Sequence, residues 1–381
     1  MDTTAVRHYL HQHPELSDQE FHTTAYLQKQ LEQLGYRIVT PAALHTGVIA
    51  EIGPTTGPTI GLRSDIDALP ITEHTGLAYA SENPGVMHAC GHDFHMASLL
   101  GAAATLAEQA DQLPGTVRVI FQPAEETHVG AQEVVDAGGI EGLDAIIGFH
   151  EKPDLGVATV GLREGGLMAA VDQFKVTLTG IGTHAAMPQL GRDPIVGLAA
   201  TVSALQTIVS RNVDPQQTAV LSVTHIEGGA TWNVIPPAAW FEGTVRTFSH
   251  ATRQTVKDHF YAVVKAQAAA FGLEATIDWL EGPDVVDNDP VLTKIVRAES
   301  EKFLTVVSPT PSNAGEDFAY FSHRVPSVFA FFGTHGTSDW HHDDLRLDDA
   351  ALPSASQWYV RIALRLLTYF AKEVPHGQET H

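Results

Sequence analysis

The sequence predicts an α/β fold whose main sheet is interrupted by a small βαββαβ insertion. Three observations carry this expectation. First, short apolar runs, "TIGL" (59–62), "TVRVIF" (116–121) and "AIIGF" (145–149), alternate with helical stretches, as in a sheet covered on both faces. Second, the middle of the chain changes to half-exposed strands, beginning with "DQFKVTLTG", where Phe174, Val176 and Leu178 share one side. Third, the first pattern returns near the end with "SVFAFFG" (327–333). A discontinuous host domain at about 1–168 and 281–381 is therefore expected around an insertion at about 169–280.

In chain order, "LSDQEFHTTAYLQKQLEQLGYRI" opens with Ser17 and Glu20 in capping-box spacing, carries Phe21, Ala25, Leu31 and Leu34 on one face, and stops at Gly35. A second helix is expected from near 95. Inside the insertion, "PIVGLAATVSALQTIVSR" reads as a helix with Pro194 in its first turn. The strands "TAVLSVTHI" and "AWFEGTVRTF", a helix over 252–271 and the strand "ATIDWL" complete a split βαβ, ferredoxin-like order. Its two ends emerge close together, which lets it interrupt a host without breaking it. A helix near 290–304, the loop "THGTSDWHHDDLRLDD" and a helix over 350–370 finish the chain.

Length and composition limit the function. A chain of 381 residues, 44% hydrophobic, suggests about two globular domains. With 22 basic against 45 acidic residues the net charge is −23, which repels nucleic acid and anionic membranes. The longest weakly polar run, Met96 to Ala107, is too short to cross a bilayer, and "MDTTAVRHYLHQHPEL" lacks the apolar core of a secretory signal. One cysteine cannot form an internal disulfide, so a cytoplasmic protein is expected. Of 21 histidines most should be ordinary surface residues, among them His8, His11, His13, His376 and His381.

Chemistry gathers just beyond the host strands. Asp65 and Asp67 follow the first, Glu125 and Glu126 the second, His150 and Glu151 the third, and His341 and His342 the last. Open α/β sheets place their sites outside the carboxyl ends of their strands, so these groups converge there, with Cys90 and His92 between two of them. One such histidine alone would be a surface or core residue, and "EE" alone a solvated turn; the coincidence at one end of a sheet is what matters. Carboxylates, imidazoles and one thiol suit borderline divalent metals such as zinc or manganese. Cys90 sits in "MHACGHDFH" (87–95). The spacing of His88 and His92 matches that of the zincin helix, but Ala89 stands where that motif needs glutamate. A nucleophilic cysteine would gain nothing from two glutamates at a strand end. A metal-ligating thiolate fits the set best.

These segments also carry a resemblance. "MHACGHDFH", "FQPAEE", "GIGTHAAMP", "WNVIPPAAWFEGTVRTF", "AGEDFAYF" and "WHH", with "HQHPELSDQE" and "RSDIDALPI", resemble the aminoacylase–hippuricase branch of the family-twenty metallopeptidases, from about His11 to Leu352. That branch includes hydrolases of indole-acetyl amino acids and bacterial deacetylases of N-acetyl amino acids. The resemblance implies a zinc-peptidase-like catalytic domain, an inserted ferredoxin-like lid that also forms a homodimer, and two divalent ions (manganese, zinc, nickel or cobalt). Its ligands fall on Cys90 as a bridge, His92, Glu126, His150 and His341, with Glu125 as general base and Asp67 supporting a ligand. His184, Asn233 and Arg246 fall on lid positions that contact the substrate. Relatives usually carry proline and an aromatic residue after the last ligand, where this chain has "HHDDL"; the register favours His341 over His342. The implied reaction is hydrolysis of a small N-acyl amino acid. A dipeptidase, carboxypeptidase or N-acetyl-diaminopimelate deacetylase on the same scaffold, and a catalytically silent metal-binding dimer, remain as alternatives.

Overall fold

A computed structural model describes residues 1–373, so His376 and His381 lie outside the described residues. The chain forms two compact units. The larger holds Met1–Gly165, Asp287–Thr310 and the described residues from Asp317; the smaller holds Gly166–Val286 and Pro311–Glu316. The short segment Pro311–Glu316 joins the smaller unit through backbone hydrogen bonds: Ala169 donates to the carbonyls of Ser312 (3.0 Å) and Ala314 (3.2 Å), and Ser312 donates to Leu167 (2.9 Å). No periodicity in the sequence announces such a return.

In the larger unit an eight-stranded sheet runs in the order Arg37–Ile38, Val48–Ile52, Thr116–Gln122, Thr59–Asp65, Ala145–Lys152, Ser327–Gly333, Thr159–Gly161, Thr305–Val307. The four strands from Thr116–Gln122 to Ser327–Gly333 are mutually parallel, and buried on both faces as such strands must be. The sequence reading found these four and missed the short outer ones, which lack a long apolar run. The helix His92–Ala107 is buried almost all round. Its small residues allow this: a Cβ at Gly101 would lie 2.5 Å from both Ser356 Oγ and Thr3 Cγ2, on the flanking helices Leu352–Glu373 and Thr3–Gln12.

The predicted helix after "LSDQE" is present as Phe21–Gln33, but the capping box is not. Glu15 caps it instead, its carboxylate accepting from the amides of His22 (3.2 Å) and Thr23 (2.8 Å). His11 corrects another expectation. It is buried, 2% exposed, between Asp93 (3.0 Å) and Glu73 (3.2 Å). Burial opposes its charge, yet those two carboxylates lift its pKa to about 9.

The smaller unit has the sheet order Ala219–Gly228, Ala238–Thr247, Ala170–Thr179, Glu274–Glu281, all antiparallel, which is the ferredoxin-like arrangement. Helices Pro194–Asn212 and His250–Ala270 cover one face, packing Leu198, Leu205, Val256 and Phe260 on Phe174, Val176 and Phe241. Asp193 and Ser249 cap them through the amides of Ile195 and Thr252. The strand Ala219–Gly228 forms an open sheet edge, and Ile195, Val196, Val220 and Ile226 are exposed. By length and composition Pro194–Asn212 could cross a bilayer, contrary to the reading that took Met96–Ala107 as the longest apolar run; 33% of it is buried, on its own unit's sheet.

Candidate metal centre

The centre lies at the carboxyl ends of the parallel strands of the larger unit. Gly91 sets its first piece. This residue has φ +75°, and a Cβ on it would lie 2.5 Å from Glu151 Cγ, so only glycine lets the chain turn here and start the helix at His92. Cys90 and His92 thereby flank one tight turn, with their ligand atoms in one group. His150 lies within the strand Ala145–Lys152, and His341 follows the strand Ser327–Gly333 in a loop. The His341 amide donates to the Ala89 carbonyl (2.8 Å), tying that loop to the cysteine turn.

Among the groups of potential ligand atoms in the described residues that lie within 4.8 Å of one another, two contain Cys90: Cys90, His92 and His150, and Cys90, Glu126 and His341; His92 also groups with Glu125 and Glu126, and with Asp65 and His95. The Cys90 Sγ lies 3.4 Å from His150 Nε2. His342 belongs to none of these groups.

Hydrogen bonds fix the imidazoles. His92 Nδ1 faces the Asp67 carbonyl (2.9 Å) and His150 Nδ1 the Glu151 carbonyl (2.8 Å). A carbonyl only accepts, so Nδ1 carries a proton, which leaves Nε2 of each ring facing the centre as the atom that would coordinate once it gives up any proton of its own. His95 is a near neighbour with a different fate. The Glu151 amide donates to its Nε2 (2.8 Å), so its Nδ1 must donate to Asp65 (2.6 Å), and no lone pair remains. Asp65 is also paired with buried Arg63 (2.8 Å), leaving this pair as support behind the site.

A metal fits this donor set. His92 Nε2 and Glu126 Oε1 are buried without a hydrogen-bond partner, 3.8 Å apart. Burial pushes the Cys90 thiol well above its ordinary range, and the carboxylates of Glu126, Glu125, Glu151 and Asp65 push it further. Only a bound cation would make a thiolate favourable there. Burial raises Glu126 to about 7 against the pull of His92; burial opposes charge on His92, yet Asp65, Asp67 and Glu126 lift it to about 10.

Glu125, 4% exposed, follows the strand Thr116–Gln122 in a tight loop, with His128 Nδ1 4.0 Å from its carboxylate. Ala124 before it has φ +51° and His128 after it φ +60°, left-handed conformations that cost a non-glycine residue on the order of 1 kcal/mol or more. Asp67 accepts from the Glu126 amide (3.0 Å) and from the Ser17 hydroxyl (2.7 Å), and Glu20 accepts from the Ala124 amide (2.9 Å). The sequence reading gave Ser17 and Glu20 to a helix cap. Glu151, Thr334 and Trp340 went unassigned; the Thr334 hydroxyl donates to Glu151 (2.6 Å), and Trp340 packs on His150 with centroids 4.5 Å apart.

The remaining expected residues lie in the smaller unit. His184 is exposed and pairs across a two-residue ladder with Val234, beside half-buried Asn233, whose carbonyl accepts from the Ala185 amide (3.0 Å). Both sit beyond the Thr179–Ala238 end of the sheet. Arg246 sits at the other end, opposite Val171 and Val220, with Nε donating to the Asn313 carbonyl (3.1 Å). From Ala238 to Arg246 an extended strand covers roughly 25 Å at about 3.3 Å per residue. One copy of this unit therefore cannot bring His184 and Arg246 to the same small ligand.

If Cys90 binds metal, iodoacetamide should label it slowly in the metal-loaded protein and faster after chelation, read by mass spectrometry. Cys90→Ser should bind metal more weakly. Equal labelling rates with and without metal would remove Cys90 from the ligand set.

Known proteins match this chain throughout. It is 54% identical to the N-acetyl-L-cysteine deacetylase of Bacillus subtilis (strain 168) over 364 residues, covering 95% of this chain and 87% of that protein. It is 37% identical to the N-acetyldiaminopimelate deacetylase of Geobacillus thermodenitrificans, covering 96% of each. Among solved structures, a Bacillus subtilis protein described as a dinuclear metal binding peptidase superposes with a TM-score of 0.87 at 42% identity, over 96% of this chain and 98% of that one. The profile of peptidase family M20/M25/M40 matches residues 61–365, and the chain belongs to that family.

Proposed function

We propose that this chain is a metal-dependent amidohydrolase that cleaves the amide joining an acyl group, chiefly acetyl, to the α-nitrogen of an amino acid. The observation that carries the reading is the buried Glu125 carboxylate beside two ligand groups that share Cys90. The relative named for N-acetyl-L-cysteine supports the substrate class.

Cys90, His92, Glu126, His150 and His341 would hold two divalent ions, of manganese, zinc, nickel or cobalt. When bound, such ions polarise a carbonyl and lower the pKa of water towards about 7. Glu125 takes a proton from the attacking water and returns it to the nitrogen as the C–N bond breaks, giving a carboxylic acid and a free amino acid. Asp67 holds the His92 ring and the Glu126 amide in place. His184 donates to the oxygen that gains charge, Asn233 holds that loop, and Arg246 pairs with the substrate's carboxylate. The smaller unit would act as lid and dimer interface, with the larger as catalytic domain. The open edge strand and exposed apolar helix face support pairing with a second copy. The placement of His184 and Arg246 at opposite ends of one sheet supports a site completed by residues of two subunits. With one buried cysteine and no disulfide to form, a cytoplasmic enzyme is the accompanying proposal.

Purified protein loaded in turn with each metal should hydrolyse N-acetyl amino acids faster than dipeptides or N-acetyl-diaminopimelate, and a strong chelator should abolish the activity. N-acetyl amino acids should also be preferred over their amides, and Arg246→Ala should erase that preference, since a lost buried charge partner typically costs about 2–5 kcal/mol. Preferred cleavage of dipeptides would replace the deacylase reading; equal kcat/KM for acid and amide would remove the Arg246 contact.

A further inference from the structure

We propose that Glu20 is a positioning residue for Glu125, acting by holding the peptide before it in a left-handed conformation. The idea rests on the reading of Glu125 as the proton-transferring base and adds what aims it. Ala124 at φ +51° sets the direction in which the next side chain leaves the loop. A non-glycine residue persists there only when its surroundings over-determine it. The determinant is the Glu20 carboxylate, fully buried and 104 residues earlier, which accepts the Ala124 amide at 2.9 Å.

On the other side of Glu125 the Glu126 amide donates to Asp67, itself held by the Ser17 hydroxyl. Two buried carboxylates thus clamp the amides immediately before and after Glu125. The rest of the loop leaves no slack. The Gly130 amide (3.1 Å) and the Thr127 hydroxyl (3.3 Å) donate to the Ala124 carbonyl, and the His128 amide donates to the Glu125 carbonyl (2.7 Å).

Glu20 does not cap its own helix, a task that Glu15 performs. A buried carboxylate is expensive where an apolar side chain would fill the space. Its acceptor is what an apolar replacement lacks, and the Ala124 amide is where that acceptor points.

The test compares Glu20→Leu, which fills the volume without an acceptor, Glu20→Ala, and Glu20→Gln, whose amide oxygen still accepts. Turnover of an N-acetyl amino acid, KM, bound metal and Tm are measured on the metal-loaded enzyme. Losing a supporting partner costs about 10–100-fold. Glu20→Leu and Glu20→Ala should lower kcat by that factor, with KM within about twofold and metal content unchanged, whereas Glu20→Gln should stay within about fivefold of wild type. Ala124→Gly, which removes the penalty of positive φ, should restore kcat several-fold in the Glu20→Ala background. Adding Glu20→Ala to Glu125→Gln should cost nothing further. Wild-type kcat in both Glu20→Leu and Glu20→Ala, a loss confined to KM or metal content, or no recovery with Ala124→Gly would overturn the proposal. Wild-type turnover in Glu125→Gln would instead overturn the base assignment on which it rests.

Discussion

Glu125→Gln should retain fold and metal content while kcat falls by at least about 10²-fold, and by as much as about 10⁴-fold. The substitution keeps shape and removes only the capacity to accept a proton. The neighbouring carboxylate gives the contrast. Glu126 groups with Cys90 and His341, so Glu126→Gln should lose metal as well as activity. Metal analysis of both purified variants beside steady-state kinetics separates the two roles. Full turnover in Glu125→Gln would show that another group moves the proton; full metal content in Glu126→Gln would remove it as a ligand.

The second large effect is a recovery of activity. Glu125→Ala and His184→Ala should each be nearly inactive alone. If the chain forms the proposed dimer, unfolding the two variants together and refolding them should leave about half the dimers mixed. If His184 serves the partner's site, each mixed dimer has one site lacking both residues and one lacking neither. Activity should then return towards a quarter of wild type, as a two-fold interface requires. If His184 serves its own subunit, every site lacks one residue and activity stays at the floor. The placement of His184 and Arg246 at opposite ends of one sheet favours the recovery.

The sequence alone determined what local patterns can encode. Apolar runs bounded by turn residues gave the four central strands, and the alternation around Phe174 gave the smaller sheet. Ligand-type residues stood just past those strand ends, so the strands also indicated that Asp65, Asp67, Glu125, Glu126, His150, Glu151, His341 and His342 would converge around Cys90 and His92. The family resemblance singled out Cys90, His92, Glu126, His150 and His341 among them. Tertiary structure decided how polar side chains are used, because their partners are remote in sequence. Ser17 and Glu20 have the spacing of a helix cap, yet they bond Asp67 and Ala124, 50 and 104 residues away. His11 looked like a surface residue until Asp93 and Glu73 closed around it. His92 and His95 lie three positions apart on one helix and look alike in sequence. The Glu151 amide takes the Nε2 lone pair of His95, whereas the Asp67 carbonyl leaves Nε2 of His92 facing the centre. A hydrogen bond costs the sequence no periodicity, so its partner appears only once the chain has folded.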